Sequence, residues 1–160
     1  MILIIFDTVF GNTGKVAGML KETLTSKGET VELATIAQVT ENNFPSADVV
    51  IFASPTRAFR PTPNMQSLVR AFKGLLKDKK VACLDTRMDV VEVNNKFLTF
   101  MAKHFGYAND FMMKTFKKAK AKIVCEPGEF FVKAQEGPLK DNTEQRVRDW
   151  AEKLLAGKLK

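Results

Sequence analysis

The sequence is poor in side chains that bind metals. It has two cysteines, Cys83 and Cys125, and one histidine, His104. No Cys-x-x-Cys pair occurs, which excludes a zinc site of the usual kind. Two thiols cannot make a disulfide framework, although a single Cys83–Cys125 bridge stays open. So few cysteines point to a reducing compartment, the cytoplasm. No apolar run approaches the roughly 20 residues of a membrane span. The opening Met1–Phe6 run has no basic stretch before it and meets Asp7, which argues against a secretory signal. Internal repeats, low-complexity tracts and nucleic-acid-binding signatures are all missing. Two phosphate motifs also fail. Gly14-Lys15 looks like the end of a P-loop, but Val9 and Val16 occupy the positions that need glycine and a hydroxyl. No Gly-x-Gly-x-x-Gly occurs, so the dinucleotide fingerprint is absent.

What is present reads as a soluble globular chain. Its 160 residues predict one domain over 1–160, long enough to bury a core without staples. The formal charge is +7, and the basic excess is spread over both halves rather than held in a tail. One cluster stands out: Lys114, Lys117, Lys118, Lys120 and Lys122, with no acid among them. It reads either as a solvated helix face or as a docking patch for an acidic partner, an anionic lipid surface or nucleic acid.

Apolar runs and periodicity set the elements. Ile2–Phe6 is a continuous apolar run, as in a strand buried on both faces. Residues 12–27 carry Val16, Ala17, Leu20 and Leu24 at helical spacing, and Gly28 fits a stop. Thr30–Thr35, Asp48–Ala53 and Lys80–Asp85 read as further strands, with a helix over Asn64–Leu76 between the last two. Residues 93–106 and 108–120 read as helices. Ile123–Cys125 and Phe130–Val132 read as two pieces of a fifth strand, broken by Pro127-Gly128. Asn142–Leu155 is a last amphipathic helix with Trp150 on its apolar face. Such alternation predicts an α/β fold, a parallel sheet with helices on both faces. Ligands then bind at the carboxyl ends of the strands. The loops after Phe6, Ala53 and Leu84 are therefore the candidate site.

The first loop, Asp7–Lys15, joins a strand to a helix. Thr8, Gly11, Asn12 and Thr13 surround a helix N-terminus, which favours an anion. Asn12 reads equally as a plain helix cap. The second loop, Ala53–Asn64, holds three prolines, Phe59, Arg57 and Arg60. Prolines preform its shape, and Phe59 either enters a site or covers the core edge. The third begins at Asp85-Thr86-Arg87-Met88, where Asp85 either serves a ligand or caps a turn. His104, Cys83, Cys125 and Trp150 read as structural or exposed residues rather than catalytic ones.

Thr8-Val9-Phe10-Gly11-Asn12-Thr13 resembles the flavodoxin phosphate loop, Ser/Thr-x-Thr-Gly-Asn-Thr. Ser54-Pro55-Thr56 resembles the flavin-ring loop of flavodoxin-like domains, and Asp85-Thr86-Arg87 the fourth-strand ending of some prokaryotic members. Phe131–Leu139, with Glu-Gly-Pro-Leu, is similar to the tail of that group. The resemblance runs from Met1 to about Ala156. It implies a flavodoxin-like three-layer sandwich around a five-stranded parallel sheet of order 2-1-3-4-5, with bound FMN. By position, Thr8, Gly11, Asn12 and Thr13 would hold the phosphate, with Val9 and Phe10 in the same loop. Ser54, Pro55, Thr56, Arg57, Ala58 and Phe59 would border the isoalloxazine on one side, and Asp85, Thr86, Arg87 and Met88 on the other. Phe10 stands where a hydroxyl is usual, the chain is basic where flavodoxins are usually acidic, and the one tyrosine, Tyr107, lies outside the third loop. Segment 90–121 also departs from the short flavodoxin pattern.

The resemblance implies an electron carrier between redox partner proteins, acidic ones given the charge. A competing reading is an NAD(P)H-dependent FMN or quinone reductase, and a third is a non-redox binding module on the same fold. Arg57, Arg60 and Arg87 are expected near the ring rim. One such charge at about 5 Å favours the reduced anion by about 3 kcal/mol at an effective dielectric near 20, before screening.

Overall fold

The computed structural model describes residues 1–160. Its strands are β1 (Ile2–Phe6), β2 (Val31–Thr35), β3 (Val49–Pro55), β4 (Lys80–Met88), β5 (Lys122–Ile123) and β6 (Gly128–Val132). Its α-helices are α1 (Asn12–Ser26), α2 (Pro63–Ala71), α3 (Val90–Val93), α4 (Lys96–Phe105), α5 (Ala108–Lys118) and α6 (Thr143–Lys158). The sheet is parallel throughout, in the order β2-β1-β3-β4, and β5 and β6 share the fifth position against β4. This is the expected flavodoxin-like architecture.

Strand residues alternate between two cores. Leu3, Ile5, Val50, Phe52, Val81 and Cys83 face Met65 and Val69 of α2 and Ala108, Met112 and Phe116 of α5. Ile2, Ile4, Val49, Ile51, Ala82 and Leu84 face Val16, Leu20 and Leu24 of α1 and Val147, Trp150 and Leu154 of α6. Both faces of the central strands are covered, which is why they read as unbroken apolar runs. Each buried Val, Leu, Ile, Phe or Met among them contributes about 1.5–3 kcal/mol. Cys83 is buried, Cys125 is half-buried, and both are free thiols. No helix is long and apolar enough to cross a membrane.

Several boundaries differ from the sequence reading. First, β4 does not end at Asp85 but continues to Met88, because β6 pairs with it from Leu84↔Gly128 to Met88↔Val132. Second, the break in the fifth strand falls at 124–127, and Gly128 lies inside β6. β4 advances from Lys80 to Leu84 while its neighbour advances from Lys122 to Gly128, so extra residues are extruded there. The indole N–H of Trp150 donates to the Glu126 carbonyl at 2.9 Å and holds the extruded loop. Third, the helix expected over 93–106 divides. Asn94, at φ 52°, ends α3, and the side chain of Asn95 accepts from the Phe97 and Leu98 amides to start α4. The helix expected over Asn64–Leu76 is α-helical to Ala71 and continues as a 3₁₀ helix through Gly74 to Leu76.

Candidate functional site

The carboxyl ends of β1, β3 and β4 open into one cavity of about 550 Å³. That size suits a small molecule or cofactor, for which pockets run roughly 300–1,000 Å³. Thr8, Val9, Phe10, Asn12 and Thr13 form one wall. Pro55, Thr56, Arg57, Ala58 and Phe59 form a second, and Thr86, Arg87 and Met88 a third. The three loops singled out in the sequence thus converge. Ser54, Gly11 and Asp85 do not line the cavity. Ser54 is buried, accepts from the Thr62 amide at 3.2 Å and donates to the Pro55 carbonyl at 3.1 Å, so it shapes the loop from beneath.

The first loop delivers an uncapped helix start. Gly11 is the N-cap of α1, at φ 88°, a conformation that glycine adopts freely. No side chain caps the helix, and the first backbone bond of the turn runs from the Lys15 amide to Gly11. The amides of Asn12, Thr13 and Gly14 are left without an acceptor in the chain. Asn12 is therefore not a cap. Its side-chain amide donates to the Glu136 carbonyl at 3.1 Å and ties this loop to the turn after β6. The Thr8 hydroxyl accepts from the Gly11 amide at 3.0 Å, and the Thr13 and Thr86 hydroxyls bond each other at 2.8 Å. Thr8 and one of that pair each keep a proton for an anionic ligand.

The second loop carries a tight hairpin. The Arg57 amide donates to the Arg60 carbonyl at 2.7 Å, and the Arg60 amide returns a bond to Arg57 at 3.0 Å. Ala58 and Phe59 between them both have positive φ, 46° and 64°. Non-glycine residues pay about 1–2 kcal/mol each for that conformation. The Arg57 guanidinium lies 5.1 Å from the Phe10 ring centroid, joining two walls of the cavity. Arg60 departs from expectation: it is exposed and does not line the cavity, because the hairpin turns it outward.

The third wall corrects the sequence reading most. Asp85 is buried beneath the cavity instead of bordering it. Its carboxylate accepts from Arg87 Nε at 2.8 Å and Nη2 at 2.9 Å, from the Thr56 hydroxyl at 3.1 Å and from the Asn109 amide at 3.3 Å. Burial pushes the Asp85 carboxyl up, and Arg87 opposes that shift. Four donors point at its two oxygens, two of them from the Arg87 guanidinium, and they favour the ionised form against the effect of burial. The Arg87 guanidinium is thereby neutralised, and it stacks 3.6 Å from the centroid of Tyr107. Tyr107, outside the third loop in sequence, lines the cavity all the same. Burial pushes its phenol up from the ordinary value, against the pull of Arg87.

Sequence reasoning missed Val90, Val93, Leu98, Tyr107, Val132 and Gln135 in the lining. Val132 and Gln135 follow from the rule that strand ends build the site, had it been extended to the fifth strand. Val90, Val93 and Leu98 come from α3 and α4, whose path over the cavity no local signal announces.

The sequence matches the family model described as "Flavodoxin domain" over residues 3–132. No curated relative matches it. Among solved structures, flavodoxin 2 from Bacillus cereus superposes with a TM-score of 0.75 at 17% identity, covering 96% of this chain and 97% of that one. Rubredoxin oxygen:oxidoreductase from Desulfovibrio gigas gives 0.73 at 17% identity over 99% of this chain, which spans 36% of that protein. A Fusobacterium nucleatum flavodoxin variant bound to flavin mononucleotide gives 0.69 at 14% identity, over 96% and 94% of the two chains. At these identities the superpositions speak for the fold; the family model speaks for descent. The chain belongs to the flavodoxin domain family.

Proposed function

We propose that the chain binds FMN in this cavity and carries electrons between redox partners. The observation that carries the reading is one cleft that joins an uncapped helix start, with two hydroxyl protons free beside it, to an apolar slot. The first suits a phosphate and the second a flat ring. Membership of the flavodoxin family and the FMN bound to the F. nucleatum relative support the same reading.

FMN, when bound, supplies one- and two-electron transfer; the protein supplies binding, orientation and electrostatics. In this proposal the Asn12, Thr13 and Gly14 amides and the Thr8 hydroxyl hold the phosphate. Met88, Val90, Val93 and Leu98 exclude water from the ring. Gly11 gives the loop its left-handed turn, and Ser54 and Asp85 hold the second and third walls in place. Of the three arginines expected to act on the flavin, Arg87 is neutralised by Asp85 and Arg60 turns away. Arg57 is left as the one whose charge acts on the ring and favours added electrons.

The test compares FMN with riboflavin, which lacks the phosphate, by quenching of flavin fluorescence. FMN is expected to bind one per chain and at least about tenfold tighter, as charge-assisted bonds to a phosphate require. Equal affinity would remove the α1 terminus from the site.

A further inference from the structure

Beside the cleft lies a second cavity, of about 450 Å³. Five cations line it: Arg60 from the hairpin, Arg70 of α2, Lys73 just beyond, and Lys114 and Lys118 of α5. Lys114 and Lys118 stand four residues apart on one helix face. None of the five makes an ion pair, although Lys27, Lys133, Lys140, Arg148 and Lys158 all do so elsewhere. The one carboxylate at this cavity, Asp110, accepts from the Tyr107 amide at 2.6 Å, and its single charge leaves the five cations well in excess. Unpaired like charges around a concavity raise the local potential and concentrate anions. Aromatic rings stand among them, and Arg70 lies 5.1 Å from the Phe111 centroid. Phe59 and Tyr107 belong to both cavities, so these two rings form the wall between them.

We propose that this cavity binds a phosphorylated small molecule carrying at least two negative charges. Two arginines offer planar forks that match phosphate oxygens, and the lysines add point charge. The concave shape suits a compact anion better than the broad face of an acidic protein. The rings offer a surface on which a planar base can rest. A nucleotide cofactor or free pyrophosphate would each supply the required charge. This site goes beyond the flavin reading and does not depend on FMN being bound next door.

The test is calorimetric titration at low salt with inorganic pyrophosphate, NADPH and NADH, each with and without saturating FMN, which competes for the α1 terminus. The proteins are the wild-type chain, the double variant Arg70→Glu/Lys114→Glu, and Lys21→Glu/Lys153→Glu on α1 and α6 as a control with the same change of charge. Arg70, Lys114, Lys21 and Lys153 are all exposed, and unchanged circular dichroism and melting temperature check the fold. One pyrophosphate per chain is expected in the presence of FMN, weakened at least about tenfold in the double variant and little changed in the control. NADPH binding tighter than NADH supports the proposal and identifies a dinucleotide 2′-phosphate as the occupant. Equal binding of the two, with pyrophosphate retained, supports it with pyrophosphate groups as the ligand. No binding of any probe up to about millimolar concentration, or equal weakening in the double variant and the control, overturns it. FMN affinity, measured on the same double variant, tests the first cavity separately.

Discussion

Arg87 grips Asp85 with two hydrogen bonds, at 2.8 and 2.9 Å, from two positions further along β4. Residues two apart on a strand share a face, so the pair closes on itself under the cavity. The same carboxylate holds Thr56 of the second loop and the start of α5. One buried acid thus fixes the relative position of two walls. Asp85→Asn is expected to destabilise the fold by about 3–5 kcal/mol, because it leaves a buried guanidinium with only the half-exposed Glu129 carboxylate, at 3.6 Å, as counter-charge. Adding Arg87→Met should recover part of the loss. Urea unfolding of both variants measures this; a loss below about 1 kcal/mol for the single variant would contradict the role given to the pair.

Arg57 acts alone on the flavin in this scheme. Arg57→Glu is expected to lower the midpoint potential of the FMN-loaded protein by tens of millivolts, since Coulomb attraction to the reduced ring becomes repulsion. Arg60→Glu should change it much less. Potentiometric titration decides, and equal shifts in the two variants would mean that Arg57 does not face the ring.

Asn12 links the first loop to the Glu136 carbonyl. Asn12→Asp sets a carboxylate against that carbonyl and beside the phosphate position. Helix-dipole attraction offsets part of the stability cost, so FMN affinity should fall by more than stability does. Affinity unchanged in a fluorescence titration would show that Asn12 serves the loop only.

Two helix glycines should respond with opposite sign. A Cβ on Gly157 would lie 1.7 Å from the Val124 carbonyl oxygen, so Gly157→Ala must push α6 off the extruded fifth-strand loop. A loss of about 1–3 kcal/mol is expected. Gly18 in α1 has nothing within 4 Å of that position, and Gly18→Ala should gain about 0.5–1 kcal/mol. Thermal melts of the two variants check the sign.

The thiols should be inert at neutral pH. Burial pushes Cys125 up to about 11 and Cys83 well above its ordinary value. A thiol that keeps its proton in the folded state contributes stability below its unfolded pKa and loses it as pH rises through the folded one. Stability should therefore decline between about pH 9 and 11 on account of Cys125, more weakly in Cys125→Ser. Rapid alkylation of the native protein by iodoacetamide at pH 8 would contradict this burial.

Much of the fold was legible because the strands advertise themselves. Ile2–Phe6 and Val49–Ala53 are apolar on both faces, and the helices between them hold a clean period. The site was legible as three loops because parallel sheets put ligands at strand ends. Thr86–Met88 lie inside β4 although the sequence reading ends that strand at Asp85, because an acid and an arginine rarely sit inside a strand. They do so here since each satisfies the other, a tertiary fact with no local mark. Tyr107 was set aside for the same reason: its ring reaches the cavity only through the fold of α3 and α4. Arg60 was misplaced because the Arg57–Arg60 hairpin needs two positive φ values at Ala58 and Phe59, residues that do not announce such a turn.

The most direct test of FMN binding is the visible absorption spectrum of the purified chain after incubation with FMN and desalting, followed by anaerobic addition of NAD(P)H or of a chemical reductant. The expected result is a retained flavin spectrum at about one FMN per chain that bleaches with the reductant and reoxidises on transfer to an acceptor. A colourless protein after desalting would contradict FMN binding and the electron-carrier function with it.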